Sequence, residues 1–316
     1  MLASANRGEV TGSPNDMQQY VDGFLAYLRD RNFSDNTVTR YERELLAFAV
    51  YLATCCTTHV TDPSGVTKSD VLGFLRHPSA SGRPPSSVVW NGRLACLRSF
   101  FGHLFREELV VANPAQKVEF ARPTPRDPTY LTYQEYRRLL ETVSQGARPF
   151  YRERDYAIFV TFYHTGLRLS ELVSLDVDQI DWTAEVFRRV RRKGGRVRDV
   201  QFNVEVTLAL GAWANKRALL GVIDSERALF LSDRRKRLRQ RSVERLFARY
   251  SSMVGLGKKI TPHVLRHTTA TELLRRGEDI RIVSEVLNHT NLNTTKRYTH
   301  LMEGAEKRAV DRLAGG

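Results

Sequence analysis

ITPHVLRHTTATELLRRGEDIRIVSEVLNHTNLNTTKRYTH, residues 260–300, holds the residues on which the reading of this chain turns. Arg266 stands between His263 and His267, His289 follows, and Tyr298 lies nine residues beyond it. On a helix, His263, Arg266 and His267 share a face or its edge, because positions three and four apart are neighbours. A cation, proton carriers and a phenol are together what attack on a phosphodiester without a metal requires. Tyr298 has polar surroundings: Thr294, Thr295, Lys296 and Arg297 precede it, and Thr299 and His300 follow. A phenol attacks at neutral pH only where cations stabilise the phenolate and a base takes its proton. Arg266, His263 and His289 would supply those terms if the fold brings them together.

The HVLRH spacing also suits zinc, whose helical ligands often sit four apart. Here no glutamate lies between the histidines and no nearby Asp, Glu or Cys completes a tetrahedral set, so neither metal nor other cofactor is expected. His267 reads as a structural helical histidine. His263, beside Pro262 at a helix start, is placed to project into a cleft.

Charge supports a polyanionic partner. Residues 1–120 carry 12 Lys and Arg against 12 Asp and Glu, whereas residues 121–316 carry 37 against 23. The whole excess of +14 therefore sits in the C-terminal part, where it would attract phosphates independently of sequence. No apolar run is long enough to span a bilayer and no secretory segment is evident, so a membrane role is not expected. Cys55, Cys56 and Cys96 form neither a CxxC pair nor a disulfide framework, which predicts a reduced, cytoplasmic protein.

Working outward, residues 1–14 read as a flexible leader. Met17, Tyr20, Val21, Phe24, Leu25 and Leu28 predict an amphipathic helix, and Val38, Tyr41, Leu45, Phe48 and Leu52 predict a second behind the caps Ser34–Asn36. A third should begin near Thr67–Asp70 and a fourth should run from Val88 to Phe105, making residues 15–120 a helical bundle. The prolines of 121–130 mark a linker, and 131–316 a second domain. There a helix is expected at Thr132–Val143 and a longer one over 153–175, interrupted at Thr165–Gly166. Short strands are expected at Gln179–Trp182, Glu185–Val190 and Val197–Phe202, the last two joined at Lys193–Gly195. Everything after about residue 204 is expected to be helical.

Two further motifs matter. In TGLRLSEL, residues 165–172, Gly166 breaks the helix or lets backbone approach closely, and Arg168 is its cation. Glu171 lies three residues on, so an intrahelical ion pair is the plain reading of that arginine. In RRKGGRVRD, Lys193 sits at a hairpin tip, a natural contact for a DNA backbone.

TGLRLSEL, a hairpin lysine, HVLRH, LNH and TTKRYTH, in that order, resemble the tyrosine recombinases of the phage-integrase family, especially its short Xer-like members. SDNTVTRYERELLAFAVYL and LRSFFGHLFREELVVANPA are similar to the family's core-binding domain, and LTYQEYRRLLETV to the start of its catalytic domain. The resemblance implies a mainly α fold with a small antiparallel sheet: a helical, SAM-like core-binding domain and an α+β catalytic domain, clamped on duplex DNA. It implies Arg168 and Arg266 as the phosphate-binding arginines, His263 and His289 beside the scissile phosphate, Lys193 as general acid and Tyr298 as nucleophile. It also implies a 3′-phosphotyrosyl intermediate without ATP or metal, and self-association to a tetrameric synapse, with or without a second recombinase. The segment after Tyr298, with Leu301, Ala305, Val310 and Leu313 apolar, reads by itself as a helix packed on its own domain, whereas the resemblance favours a helix donated to a neighbouring protomer.

Three departures stand out: Asn288 before the second histidine, Arg192 before the hairpin lysine, and no proline after the hairpin. None removes a catalytic group. Rival readings are a type IB topoisomerase-like enzyme, disfavoured by the N-terminal domain, and a catalytically silent DNA-binding regulator, which would lack one of the six groups. A metal-dependent nuclease would need clustered acidic ligands, which are lacking.

Overall fold

Apolar residues at helical spacing build the first of two compact units, Met1–Pro125 and Arg126–Gly316. The computed structural model describes residues 16–55, 62–78, 82–122, 129–146, 151–192, 195–221 and 226–287. In the first unit, α1 (Asp16–Asp30), α2 (Asp35–Cys55), α3 (Lys68–Arg76) and α4 (Ser87–Arg106) form a bundle. Met17, Val21, Phe24, Leu25 and Leu28 of α1 are buried, as are Val38, Tyr41, Leu45, Phe48 and Leu52 of α2, the stripes expected from spacing. Phe24 meets the Phe100 ring edge-on at 5.5 Å between centroids, tying α1 to α4.

Local chemistry sets the helix ends. Thr67 and Asp70 form a capping box at α3, with the Thr67 N–H donating to Asp70 at 2.8 Å. Arg93 of α4 donates to the carbonyls of Phe74 and His77 at 2.9 and 2.8 Å, closing the other end. Asn91 exchanges hydrogen bonds with the Ala121 backbone at 2.9 and 2.8 Å, so the chain stays on α4 as far as Ala121.

The second unit forms around α6 (Arg152–Thr165), which follows α5 (Tyr133–Gly146). Ala157, Ile158, Phe159, Val160 and Phe162 are all fully or nearly fully buried, so α6 is enclosed on every side rather than amphipathic. Tyr250 donates to Asp155 of α6 at 3.0 Å. Burial pushes the Asp155 carboxyl above the ordinary carboxylate range, with the adjacent Arg154 pulling the other way. The short α7 (Leu169–Val173) leads into an antiparallel sheet of β1 (Ile180–Asp181), β2 (Val186–Arg191) and β3 (Val197–Gln201), in that order.

Phe187 pairs with Val200 but Val190 with Arg198, and this bulge puts Arg189 at a left-handed φ of 52°. Arg188 bridges Asp181 and Asp199 at 2.8 Å each, crossing all three strands. After the sheet come α8 (Val204–Ala218), α9 (Gln240–Val254), α10 (Pro262–Arg275) and α11 (Ile280–Leu287).

One expectation is corrected. The chain is not helical throughout after residue 204: 226–238 is irregular, pairing Ala228 with Asp176 and then turning back on itself to pair Leu231 with Arg237. Its polar groups are met partly by its own turn, where the Leu238 N–H donates to Phe230 at 2.9 Å and the Ser232 N–H to Lys236 at 2.8 Å, and partly from outside, which removes the need for helical hydrogen bonds. Trp213 donates to the Leu229 carbonyl at 2.8 Å, and the Leu229 N–H donates to Leu175 at 2.8 Å. The first expected strand is also shorter, because Val177–Gln179 forms a 3-10 turn.

α10 is the unusual helix. It buries Arg266, His267, Thr268, Thr269 and Thr271 beside Val264, Leu265 and Ala270. Two of the hydroxyls find partners, whereas that of Thr271 has none among the described residues: Thr268 donates to the Val264 carbonyl at 2.8 Å and accepts the Leu131 N–H at 3.0 Å. Thr269 donates to the Tyr163 carbonyl on α6 at 2.7 Å, joining α10 to the turn that carries Arg168.

Candidate active site

That turn begins where α6 stops. Gly166 takes a left-handed φ of 59°, and its N–H donates back to Phe162 at 2.9 Å. A Cβ added there would lie 2.5 Å from Leu287 Cδ2, so the glycine both ends the helix and admits α11. Both roles anticipated for it occur. Gly166→Ala should cost about 1–2 kcal/mol from the backbone alone, read by urea unfolding. Displacement of buried Leu287 should then slow DNA cleavage by more than the lost stability accounts for; an unchanged cleavage rate would refute the close-approach argument.

Arg168 caps α7. The Glu171 carboxylate accepts the Arg168 backbone N–H at 2.8 Å and its guanidinium at 2.9 Å. The anticipated pair exists, but as a cap rather than a pair within the helix. Glu171 is almost fully buried, and Arg192 Nη1 also approaches both of its oxygens, at 3.3 and 3.4 Å. Arg168 keeps about a third of its side chain exposed, so the carboxylate fixes a cation whose other side reaches a cleft.

The cleft has a volume of about 790 Å³. Arg168, Arg241, Arg245, Lys259, His263 and Arg266 line it, over an apolar floor that includes Leu167, Phe247 and Ile260. Glu244 is its one acidic lining residue among the described residues. Thr261 caps α10, accepting the Val264 N–H at 3.2 Å, and the first turn of α10 also lines the cleft. Cationic walls and a helix N-terminus on one cavity favour an anion.

Arg266 is buried, and its two terminal nitrogens donate to the carbonyls of Gly166 and Leu287. One guanidinium thus joins the α6–α7 turn, α10 and the end of α11. His263 is exposed at the cleft, and its ring meets buried His267 edge-on at 4.2 Å. The structure therefore gathers Arg168, His263 and Arg266 around one cavity. Among the described residues, no group of three or more His, Cys, Asp or Glu is placed to hold a metal ion.

Lys193, His289 and Tyr298 lie outside the described residues, as does the apolar segment after Tyr298. Described neighbours of two of them are nonetheless tied to the site: Arg192 to Glu171, and Leu287 to Arg266. Arg241, Arg245 and Lys259 were not singled out from sequence. The spacing of Arg241 and Arg245, four apart on one helix, was the available signal.

This arrangement agrees with comparison to known proteins. Residues 129–304 match the phage integrase family, and residues 21–108 match the phage integrase N-terminal SAM-like domain. The tyrosine recombinase XerC of Thermodesulfovibrio yellowstonii is 32% identical over 289 residues, covering 90% of this chain and 92% of the relative. The tyrosine recombinase XerD of Halalkalibacterium halodurans is 32% identical over 289 residues, covering 91% and 93%. In fold, the chain is similar to the XerH site-specific recombinase bound to its palindromic difH substrate, with a TM-score of 0.75, 18% identity and coverage of 96% and 97%. The chain belongs to the phage integrase family, the tyrosine recombinases. No helix among the described residues is long and apolar enough to cross a membrane.

Proposed function

We propose that this protein is a site-specific DNA recombinase that cleaves and rejoins duplex DNA through a 3′-phosphotyrosyl intermediate. The observation that carries the reading is the cleft shared by Arg168, His263 and Arg266, in a chain whose relatives are recombinases. XerH, similar in fold, is recorded on its DNA substrate, which supports duplex DNA as the partner here.

Each group has a task set by its chemistry. Arg168 and Arg266 hold the non-bridging oxygens of the scissile phosphate and neutralise charge as phosphorus becomes pentacoordinate. The Tyr298 oxygen attacks phosphorus while His263 takes the phenolic proton; His289 is assigned as the second histidine beside the phosphate. The bond to the 5′ oxygen breaks, and Lys193 delivers a proton to that oxygen. A 5′ hydroxyl from the partner strand then reverses these steps, releasing Tyr298. Bond energy is conserved, so the cycle needs neither ATP nor metal. Arg241, Arg245 and Lys259 extend the cationic wall toward flanking phosphates. Four protomers on two DNA sites, in one or two kinds of subunit, make the working synapse. The divisions near 120 and 130 are the proposed domain limits, and the reducing cytoplasm the proposed compartment.

The test is covalent trapping. Nicked duplexes tiled from DNA flanking the gene, incubated with the protein in chelator, should yield a species linked at the DNA 3′ end that survives denaturation. Cleavage that requires a divalent cation and leaves free ends would overturn the proposal.

A further inference from the structure

Arg192 ends the paired part of the hairpin, one residue before Lys193. Its N–H donates to the Arg196 carbonyl at 2.7 Å and its carbonyl accepts the Gly195 N–H at 3.2 Å. Its backbone therefore closes the ladder, while its side chain does the opposite of its basic neighbours. Arg191, Arg196 and Arg198 are exposed; Arg192 turns inward, with 4% of its side chain accessible. Its Nη1 approaches both oxygens of Glu171, and its Nε has no partner among the described residues.

A buried guanidinium with an unmatched donor is an expensive way to fill space, and an apolar side chain would do that better. Burial pushes the Arg192 guanidinium below its ordinary pKa, and the Glu171 charge opposes that shift. What the placement provides is geometry. Glu171 receives the Arg168 N–H, the Arg168 guanidinium and the Arg192 guanidinium, so one carboxylate orients the arginine of the anion site and the base of the hairpin together.

We propose that Arg192 is a positioning residue that anchors the Lys193 hairpin to the Arg168 site through the shared Glu171 carboxylate. The inference rests on the reading of Lys193 as general acid and Arg168 as phosphate ligand. It goes beyond that reading by assigning the registration of the two groups to a residue that touches neither the phosphate nor the leaving oxygen. Arg198 offers an internal control: it is exposed and donates to the Glu285 carbonyl at 2.8 Å, away from Glu171.

The experiment uses full-length protein and single-turnover cleavage of the duplex found by trapping, with either oxygen or sulfur at the 5′ bridging position. Sulfur leaves without a proton. Arg192→Ala should slow cleavage of the oxygen substrate by about 10- to 100-fold, the scale of a small misplacement. It should recover at least tenfold on sulfur, as Lys193→Ala should, with Arg192→Lys intermediate and Arg198→Ala near wild type. Hydrogen exchange at the β3 amides should quicken in Arg192→Ala. Equal slowing on both substrates, or none, would overturn the proposal. Failure of sulfur to rescue Lys193→Ala would instead remove the general-acid reading. The anchor would then be judged by exchange alone, faster β3 amides sustaining it and unchanged ones refuting it.

Discussion

Tyr298→Phe should bind the target duplex with wild-type affinity and form no covalent adduct, a loss of about 10⁴-fold or more, on the scale of nucleophile deletion in other enzymes. The substitution removes one oxygen and leaves the ring, so affinity, which comes from contacts to many phosphates, should not change. Salt dependence should be unaltered for the same reason. Denaturing gels and salt-titrated binding, run on the same preparation, separate the two effects. An adduct formed by the phenylalanine protein would place the nucleophile elsewhere. A wild-type protein that bound tightly yet never formed an adduct on its own site would restore the reading of a silent regulator.

That prediction depends on a residue read from sequence alone, and the chain was unevenly legible in a physically intelligible way. α1 and α2 have one face in the core and one in water, so Phe24, Leu45 and their neighbours announce themselves by spacing. α6 is buried all round and loses that contrast, although the interruption at Thr165–Gly166 was readable because a glycine there marks a helix break or a close approach. α10 is harder, since its buried face carries Arg266, His267 and three threonines, and the acceptors of Arg266, Thr268 and Thr269 are carbonyls of α6, the turn after it, α11 and α10's own preceding turn. No periodicity reveals that. The non-helical segment 226–238 was missed because part of what holds it, Leu175 and Trp213, lies elsewhere in the sequence. Glu171 was legible as the partner of Arg168, but its sharing with Arg192 needs the hairpin folded onto α7.

Arg266→Ala should be costly twice over, and the two costs can be measured apart. The Gly166 and Leu287 carbonyls would lose their donor in a buried setting, at about 1–3 kcal/mol each for a group left unsatisfied. Urea unfolding should therefore show a loss of roughly 2–6 kcal/mol. Cleavage should fall by about 10³-fold, the scale of removing a preorganised donor from a developing oxyanion. Arg266→Lys separates the terms. A lysine keeps the charge and can reach one carbonyl, so part of the stability should return. It cannot present the flat, forked set of donors that spans Gly166, Leu287 and a phosphate together, so cleavage should remain low. Arg168 provides the contrast, because it is a third exposed and Glu171 retains Arg192 when it is removed. Arg168→Ala should lose a comparable share of cleavage with little change in unfolding. Recovery of cleavage to near wild type in Arg266→Lys would show that charge alone suffices at that position, and the forked geometry would no longer explain why an arginine is buried in α10.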